Sequence, residues 1–154
     1  MINFKKGPAL SLHQVNYVAP VDIAVEAGMV VRIDSATGKV ALTAAGNANA
    51  VWGFAINSST SGDVIEAGKL GVYALDGMTV LETDQYVTAN TFTPGVSVYS
   101  NGDGKLTTTA GSERVVGQVV ENVHTLENKK TATGANGIYN FQTSVNVIAI
   151  KLAI

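Results

Sequence analysis

The chain of 154 residues contains no cysteine, which excludes disulfide bonds, thiolate catalysis and cysteine-based zinc sites. Charged residues are also scarce, at 14% of the chain compared with the roughly 25% that is usual in soluble proteins. The net charge is −2 and no basic stripe exists that could neutralise phosphates, so we expect no nucleic-acid partner. A surface with so little charge is typical of a protein that is covered by protein partners.

Long hydrophobic runs are absent as well. The most apolar segment, residues 145–154, contains Lys151 and is half the length that a membrane-spanning helix requires. The first residues, MINFKKGPALSLHQ, lack the continuous apolar stretch of a signal peptide. These two observations predict a protein that is made in the cytoplasm and has no membrane partner.

Short alternating apolar segments, separated by Gly, Asn and Asp, fill most of the chain and predict an all-β fold. No stretch keeps the spacing of apolar residues that an amphipathic helix of a dozen residues needs. The predicted strands are 15–18, 22–25, 29–34, 39–43, 51–56, 69–75, 78–82, 86–88, 96–100, 105–109, 115–123, 138–141 and 145–152. The polar segments 57–63 and 124–137 are predicted loops.

The two halves of the chain repeat one pattern. The stretch EAGMVVRIDSATGKVALTAAG at 26–46 is echoed by TPGVSVYSNGDGKLTTTAG at 93–111. The aligned pairs include Gly28 with Gly95, Val31 with Val98, Gly38 with Gly104, Thr43 with Thr109, Val51 with Val115, and Gly53 with Gly117. Each copy predicts a hairpin that turns at a Gly-Lys step and is followed by a returning strand. We expect the quasi-repeats 27–57 and 94–122 to close into a small β-barrel or a β-tulip-like sandwich.

The domain organisation predicted from this pattern is a single β domain over residues 15–154, preceded by an extended N-terminal arm over residues 1–14. The arm is too short to fold alone, and segments of this kind usually attach to a neighbouring protein. Its apolar and basic residues are therefore the candidate binding residues: Phe4, Lys5, Lys6, Leu10 and Leu12. The last strand is apolar on both faces, which predicts a central strand or a subunit contact.

No motif predicts catalysis, a cofactor or a metal site. The segment LETDQY resembles a lipoyl-carrier turn but has Gln85 in place of the lysine, and SNGDGK lacks most ligands of a calcium loop. The two histidines, His13 and His124, do not have the spacing of a metal-binding pair, and surface or interface positions are expected for both. Phosphate-binding glycine motifs and a serine-hydrolase elbow are missing. The alternative of a glycosidase-like pair of carboxylates stays open, because the distance between two carboxylates is set by the fold and not by their spacing in the sequence.

Four segments carry a family resemblance: VAPVDIAVEAGMVVRID, VWGFAIN, GKLGVYALDG, and the second copy PGVSVY...GKLTT...VVGQVVEN. Over residues 18–122 they resemble the head-decoration and capsid-associated proteins of tailed bacteriophages. In those proteins an AG or PG step leads into a strand and a hairpin, and the next strand ends in an aliphatic-glycine-aliphatic step. The segment 124–154 extends beyond the resemblance.

The resemblance implies a non-enzymatic virion protein on the capsid surface, often a homotrimer or other homo-oligomer, that bridges subunits of the major capsid protein. In this interpretation the arm attaches the domain to the shell. The alternative is a receptor- or glycan-binding β module of a phage tail fibre or cell surface. That alternative predicts exposed aromatic side chains near Trp52 or Tyr99.

Overall fold

A computed structural model describes residues 2–6, 17–21, 23–43, 51–59, 69–111, 114–126, 130–133, 138–141 and 145–153 of the chain. All regular secondary structure in these ranges is β, which confirms the predicted all-β class. The strands are β1 (Ile2–Lys6), β2 (Tyr17–Pro20), β3 (Val30–Ile33), β4 (Val40–Leu42), β5 (Val51–Ala55), β6 (Lys69–Ala74), β7 (Val80–Thr83), β8 (Ser97–Ser100), β9 (Leu106–Thr107), β10 (Val115–Leu126), β11 (Lys130–Thr133), β12 (Ile138–Phe141) and β13 (Val145–Leu152).

The strands form two main antiparallel sheets and one small ribbon. The six-stranded sheet has the order β1-β7-β13-β10-β8-β9, and the five-stranded sheet has the order β2-β6-β5-β3-β4. The hairpin β11-β12 is a separate two-stranded sheet, inserted between β10 and β13 in the chain. Both main sheets are open in the described part of the chain, so the arrangement is a sandwich of two sheets rather than a closed barrel.

The two main sheets share one topology. In each, a hairpin (β3-β4 or β8-β9) is followed by a strand that pairs with the other side of its first strand (β5 or β10). The next strand in the sheet (β6 or β13) then pairs with the strand that precedes the hairpin in the chain (β2 or β7). The second copy differs by the inserted ribbon and by the additional edge strand β1. The repeat in the sequence is therefore a repeat of five-strand units.

The strand register repeats as closely as the strand order. Val31 lies opposite Gly53 in the first unit, and Val98 lies opposite Gly117 in the second, with an irregularity next to each pair. A methyl group on Gly53 would lie 1.9 Å from the Tyr73 carbonyl oxygen, which is far inside van der Waals contact. Glycine is required there because the neighbouring backbone occupies the place of a side chain.

One hydrophobic core joins the two units. Val30, Phe54 and Tyr73 of the five-stranded sheet pack with residues of the six-stranded sheet, including Leu81, Val98, Leu106, Val116, Val119, Ile148 and Ile150. A second cluster, which includes Val31, Ala55 and Val72, covers the other face of the five-stranded sheet. Because side chains alternate along a strand, β3 and β5 each supply residues to both clusters. Full burial of each of these large side chains contributes about 1.5–3 kcal/mol.

The contact between the units is asymmetric. The turn around Gly104 packs against the first unit, where the Val30 amide donates a 2.8 Å hydrogen bond to the Gly104 carbonyl oxygen. Thr43 is buried at the same contact, forms a hydrogen bond with the Ser100 hydroxyl, and donates to the Asn101 carbonyl oxygen at 2.9 Å. Its counterpart in the repeat, Thr109, is exposed.

Some sequence predictions are wrong. Residues 23–25 are not a strand, because the Val25 amide bonds the Ser59 hydroxyl at 2.8 Å instead of a neighbouring strand. The predicted strand 86–88 is not formed, because Tyr86 makes only an isolated parallel bridge to Leu106. The predicted loop 124–137 is in part regular structure: residues 124–126 continue β10, and 130–133 form β11, whose alternating threonines suit a strand that pairs with β12.

Candidate functional site

Three ionisable side chains converge on the six-stranded sheet. Within the described part of the chain, Glu82, Glu121 and His124 form the one group whose ligand atoms lie close enough to hold a metal ion, all within 4.8 Å of one another. Glu82 lies on β7, whereas Glu121 and His124 lie on β10. Carboxylate oxygens and imidazole nitrogens are ligands for divalent transition metals.

Strand β13 separates β7 from β10 and determines how the three side chains meet. Ala149 of β13 is the register partner of Glu82 on one side and of Glu121 on the other. Directly opposed residues in adjacent strands project from the same face of a sheet. Ala149 is fully buried and its side chain is a single methyl group, so the longer side chains of its two partners reach towards each other above it.

Two bulges in β10 bring His124 to this face. Residues 121 and 124 would project from opposite faces of a regular strand, because side chains alternate with a period of two. The register of β10 against β13 shifts between Val119 and Glu121 and again between Glu121 and His124. Each shift adds one residue to β10, and the second places His124 beside Glu121. Bulges that re-aim a side chain in this way are common near functional sites.

Both ring nitrogens of His124 face oxygen atoms. Nδ1 lies 2.9 Å from the Asn122 carbonyl oxygen, and Nε2 lies 3.0 Å from Oε1 of Glu82. Glu82 is 3% exposed, whereas His124 is half-buried and Glu121 is exposed. The cluster is thus open to solvent on the Glu121 side and closed on the Glu82 side.

The predicted binding residues of the arm are only partly described. The backbone of Phe4, Lys5 and Lys6 lies in β1, which pairs antiparallel with β7 at the edge of the six-stranded sheet. Leu10 and Leu12 lie outside the described residues. The start of the arm is thus part of the domain's own sheet, and binding of a capsid by these five residues stays a prediction.

Exposed apolar side chains are concentrated on one strand. Of the five large hydrophobic residues that are exposed among the described side chains, Val115, Val120 and Val123 lie on β10. The other two are Ile23 and Met78, which lie in separate connecting segments. The sequence does not predict this exposed apolar strand, because residues 115–123 have the pattern of an ordinary strand and 124–137 the composition of a loop.

A shallow surface depression of about 230 Å³ lies beside the start of β10, where Val115, Gln118 and Lys151 are among its lining residues. Lys151 is the single ionisable residue in this lining. General acid-base catalysis needs a positioned proton donor and acceptor. The depression therefore offers no acid-base pair.

The turn SNGDGK has a structural role in this fold. Asn101 Oδ1 accepts hydrogen bonds from the backbone amides of Asp103 and Lys105, at 3.1 and 2.8 Å. In the equivalent first turn, Asp34 Oδ1 accepts from the amides of Ala36 and Thr37 at 2.8 and 3.3 Å. The Asn101 side-chain oxygen that a calcium ion would need instead caps its own turn, as the Asp34 oxygen does in the first copy.

The turn that connects β6 and β7 holds a second polar cluster. Asp76 accepts hydrogen bonds from the Tyr73 and Thr79 hydroxyls at 2.7 and 2.5 Å, and from the amides of Met78 and Thr79. Burial acts to raise the pKa of Asp76, but these hydrogen bonds outweigh it and hold the pKa below its ordinary value of 3.8. Burial raises the pKa of Tyr73 above 10.0. These hydrogen bonds stabilise the turn between β6 and β7.

The described aromatic side chains do not form a stacking surface. Phe54, Tyr73, Tyr86 and Phe92 are buried, and Tyr99 is half-buried. The side chain of Trp52 lies outside the described part of the structure. The glycan-binding alternative therefore gains no support from the aromatic residues whose surroundings are known.

No helix in the described ranges is long and apolar enough to cross a membrane. Comparisons with known proteins were made at the level of family models, curated proteins and solved structures, and none of the three gives a match.

Proposed function

We propose that this chain is a capsid decoration protein of a tailed bacteriophage. It binds the assembled head, bridges neighbouring copies of the major capsid protein, and performs no catalysis. The resemblance of residues 18–122 to such proteins suggests the class. The observation that carries the proposal is the concentration of exposed apolar residues on β10, because solvent-exposed apolar surface on a weakly charged protein favours contact with another protein.

The construction of the domain suits a bridging role. Two five-strand units share one core, so the molecule is a rigid body that can present two different edges. The main sheets end in the edge strands β1 and β9 and in β2 and β4. Edge strands can extend a sheet into a partner protein or into another copy of the same chain. A homotrimer or other homo-oligomer on the shell is part of the proposal.

The stabilising mechanism is mass action. A module that binds the assembled shell and not its dispersed subunits shifts the equilibrium towards the assembled state. Each copy contributes a small increment, and many copies act together. This mechanism requires geometry and apolar contact rather than a reactive group.

Co-sedimentation with shells of the major capsid protein from the same genome tests the proposal. The intact chain is expected to sediment with assembled shells and to stay in the supernatant with dispersed subunits. Replacement of the two outer valines of β10, Val120→Ser with Val123→Ser, is expected to lower occupancy at least tenfold. Met78→Ser is the matched control, because Met78 is 62% exposed and lies elsewhere. Equal binding to shells and subunits, or no binding to either, contradicts the proposal.

A further inference from the structure

We propose that Glu82, Glu121 and His124 form a binding site for a divalent transition-metal ion of the zinc class. The inference is independent of the capsid function, because it depends only on the geometry of the six-stranded sheet. The three side chains come from two strands that are not adjacent, β7 and β10, and they converge above Ala149 of the strand between them.

The hydrogen-bonding pattern of His124 requires either a proton or a metal ion at Nε2. A backbone carbonyl oxygen only accepts, so the short contact of Nδ1 with the Asn122 carbonyl places a proton on Nδ1. In the neutral ring Nε2 then carries a lone pair, and this lone pair faces the Glu82 carboxylate at 3.0 Å. Two lone pairs at this distance repel each other. Either a proton or a metal ion must therefore lie between the imidazole and the carboxylate.

The number of ligand groups favours a metal ion over a shared proton. The Nε2 to Oε1 distance of 3.0 Å fits either, because it is an ordinary hydrogen-bond length and is also close to the separation of two ligands of one metal ion. A shared proton is held by two atoms, whereas a third ligand group is present here. The Glu121 carboxylate offers this third ligand atom, within 4.8 Å of both and on the exposed side of the cluster.

The surroundings of His124 match those of a metal ligand. A histidine that binds zinc through one ring nitrogen commonly donates its other N–H to a backbone carbonyl or a carboxylate, which fixes the orientation of the ring. The Asn122 carbonyl provides this support from within the same bulged segment of β10. Three protein ligands leave a fourth position of a tetrahedral ion open on the solvent side. A bound ion would link β7 to β10 across β13.

Isothermal titration of the metal-stripped, full-length chain with zinc chloride tests the site. The wild-type chain is expected to bind one zinc ion. Glu121→Gln and His124→Gln are each expected to raise the Kd at least tenfold. Glu121 is exposed, so its replacement leaves the core intact. His13→Gln is the matched control, since it removes the other histidine of the chain, and it is expected to leave the Kd unchanged.

Nuclear magnetic resonance of nitrogen-15-labelled histidine gives a readout that does not depend on the variants. Addition of zinc is expected to shift the Nε2 resonance of His124 while Nδ1 keeps its proton. Zinc at one hundred times its Kd is expected to raise the Tm by roughly 5–10 °C, because the ion binds only the folded chain. An unchanged Nε2 resonance, or equal zinc affinity of the wild type and His124→Gln, overturns the site and leaves a protonated ion pair in its place.

Discussion

Gly38 and Gly104 occupy equivalent positions in the two hairpin turns and have nearly the same φ, +68° and +72°, yet their surroundings differ. Gly38 has no atom within 4 Å of the place where a Cβ would stand. At Gly104 that place is 2.9 Å from the Val30 carbonyl oxygen and 2.9 Å from the Leu42 side chain. The duplicated units therefore share a backbone, and the contact between them distinguishes one copy from the other.

Alanine substitutions at these two glycines separate backbone strain from crowding. Gly38→Ala is expected to lower the free energy of unfolding by about 1–2 kcal/mol, the cost of a side chain at positive φ. Gly104→Ala has the same strain and also forces Leu42 and the Val30 carbonyl away, so it is expected to cost roughly twice as much or more. Urea unfolding of both variants provides the comparison. Equal losses would show that the Gly104 turn does not pack against the first unit.

The buried hydroxyl pair between the units is expected to couple their stabilities. Thr43→Val removes the two hydrogen bonds that cross the contact between the units, and we expect a loss of about 1–2 kcal/mol in the free energy of unfolding. Thr109→Val, at the equivalent exposed position, is expected to change it by no more than about 0.5 kcal/mol. A double-mutant cycle of Thr43→Val with Ser100→Ala should give a coupling energy of at least about 0.5 kcal/mol. If the effects of the two substitutions simply add, the two hydroxyls do not interact in solution, and the predicted coupling is wrong.

The ionisation of Asp76 makes the free energy of unfolding depend on pH. Its pKa in the folded chain lies below 3.8, because hydrogen bonds from Thr79, Met78 and Tyr73 outweigh the effect of burial. The ionised carboxylate therefore favours the folded state above the unfolded-state pKa, and this stabilisation is lost as the pH falls through the folded-state pKa. Denaturation measured from pH 6 down to pH 2 should show a shallower decline for Asp76→Asn than for the wild type. Parallel curves would contradict the assignment.

The second half of the arm is expected to act on binding and not on folding. Leu10→Ser with Leu12→Ser is predicted to lower capsid occupancy while the Tm of the isolated domain stays unchanged, because apolar anchors of a short arm act on the partner. Deletion of residues 1–14 is a less selective change, since it removes β1 and exposes the edge of β7. Co-sedimentation and thermal unfolding are measured on the same preparations. Unchanged occupancy would exclude the two leucines as anchors.

The repeated part of the fold follows from local sequence. Alternating apolar residues and the glycine of each turn predict each hairpin, and the aligned glycines Gly53 and Gly117 both lie where the backbone of the next strand approaches closely. The equivalence of the two sheets could therefore be inferred before the structure was known. Long-range pairing was not predictable in the same way. The pairing of β1 with β7 depends on residues about 80 positions apart, and no local pattern specifies such a partner.

The candidate metal site was invisible in the sequence for the same reason. Glu82 and His124 are 42 positions apart, and they meet only because Ala149 lies between their strands. The bulges that turn His124 towards Glu121 have no short sequence signature. The weak signal that was present is the pattern VVGQVVENVHTL, in which apolar and polar residues do not alternate strictly.

Calorimetry of purified heads measures whether the bound chain stabilises the assembled shell. Shells are loaded with increasing amounts of the chain, and the temperature at which the shell dissociates is measured at each occupancy. A decoration protein that binds only the assembled state is expected to raise this temperature progressively until its sites are filled. A dissociation temperature that stays constant while the chain is bound at full occupancy would contradict the claim that it stabilises the capsid.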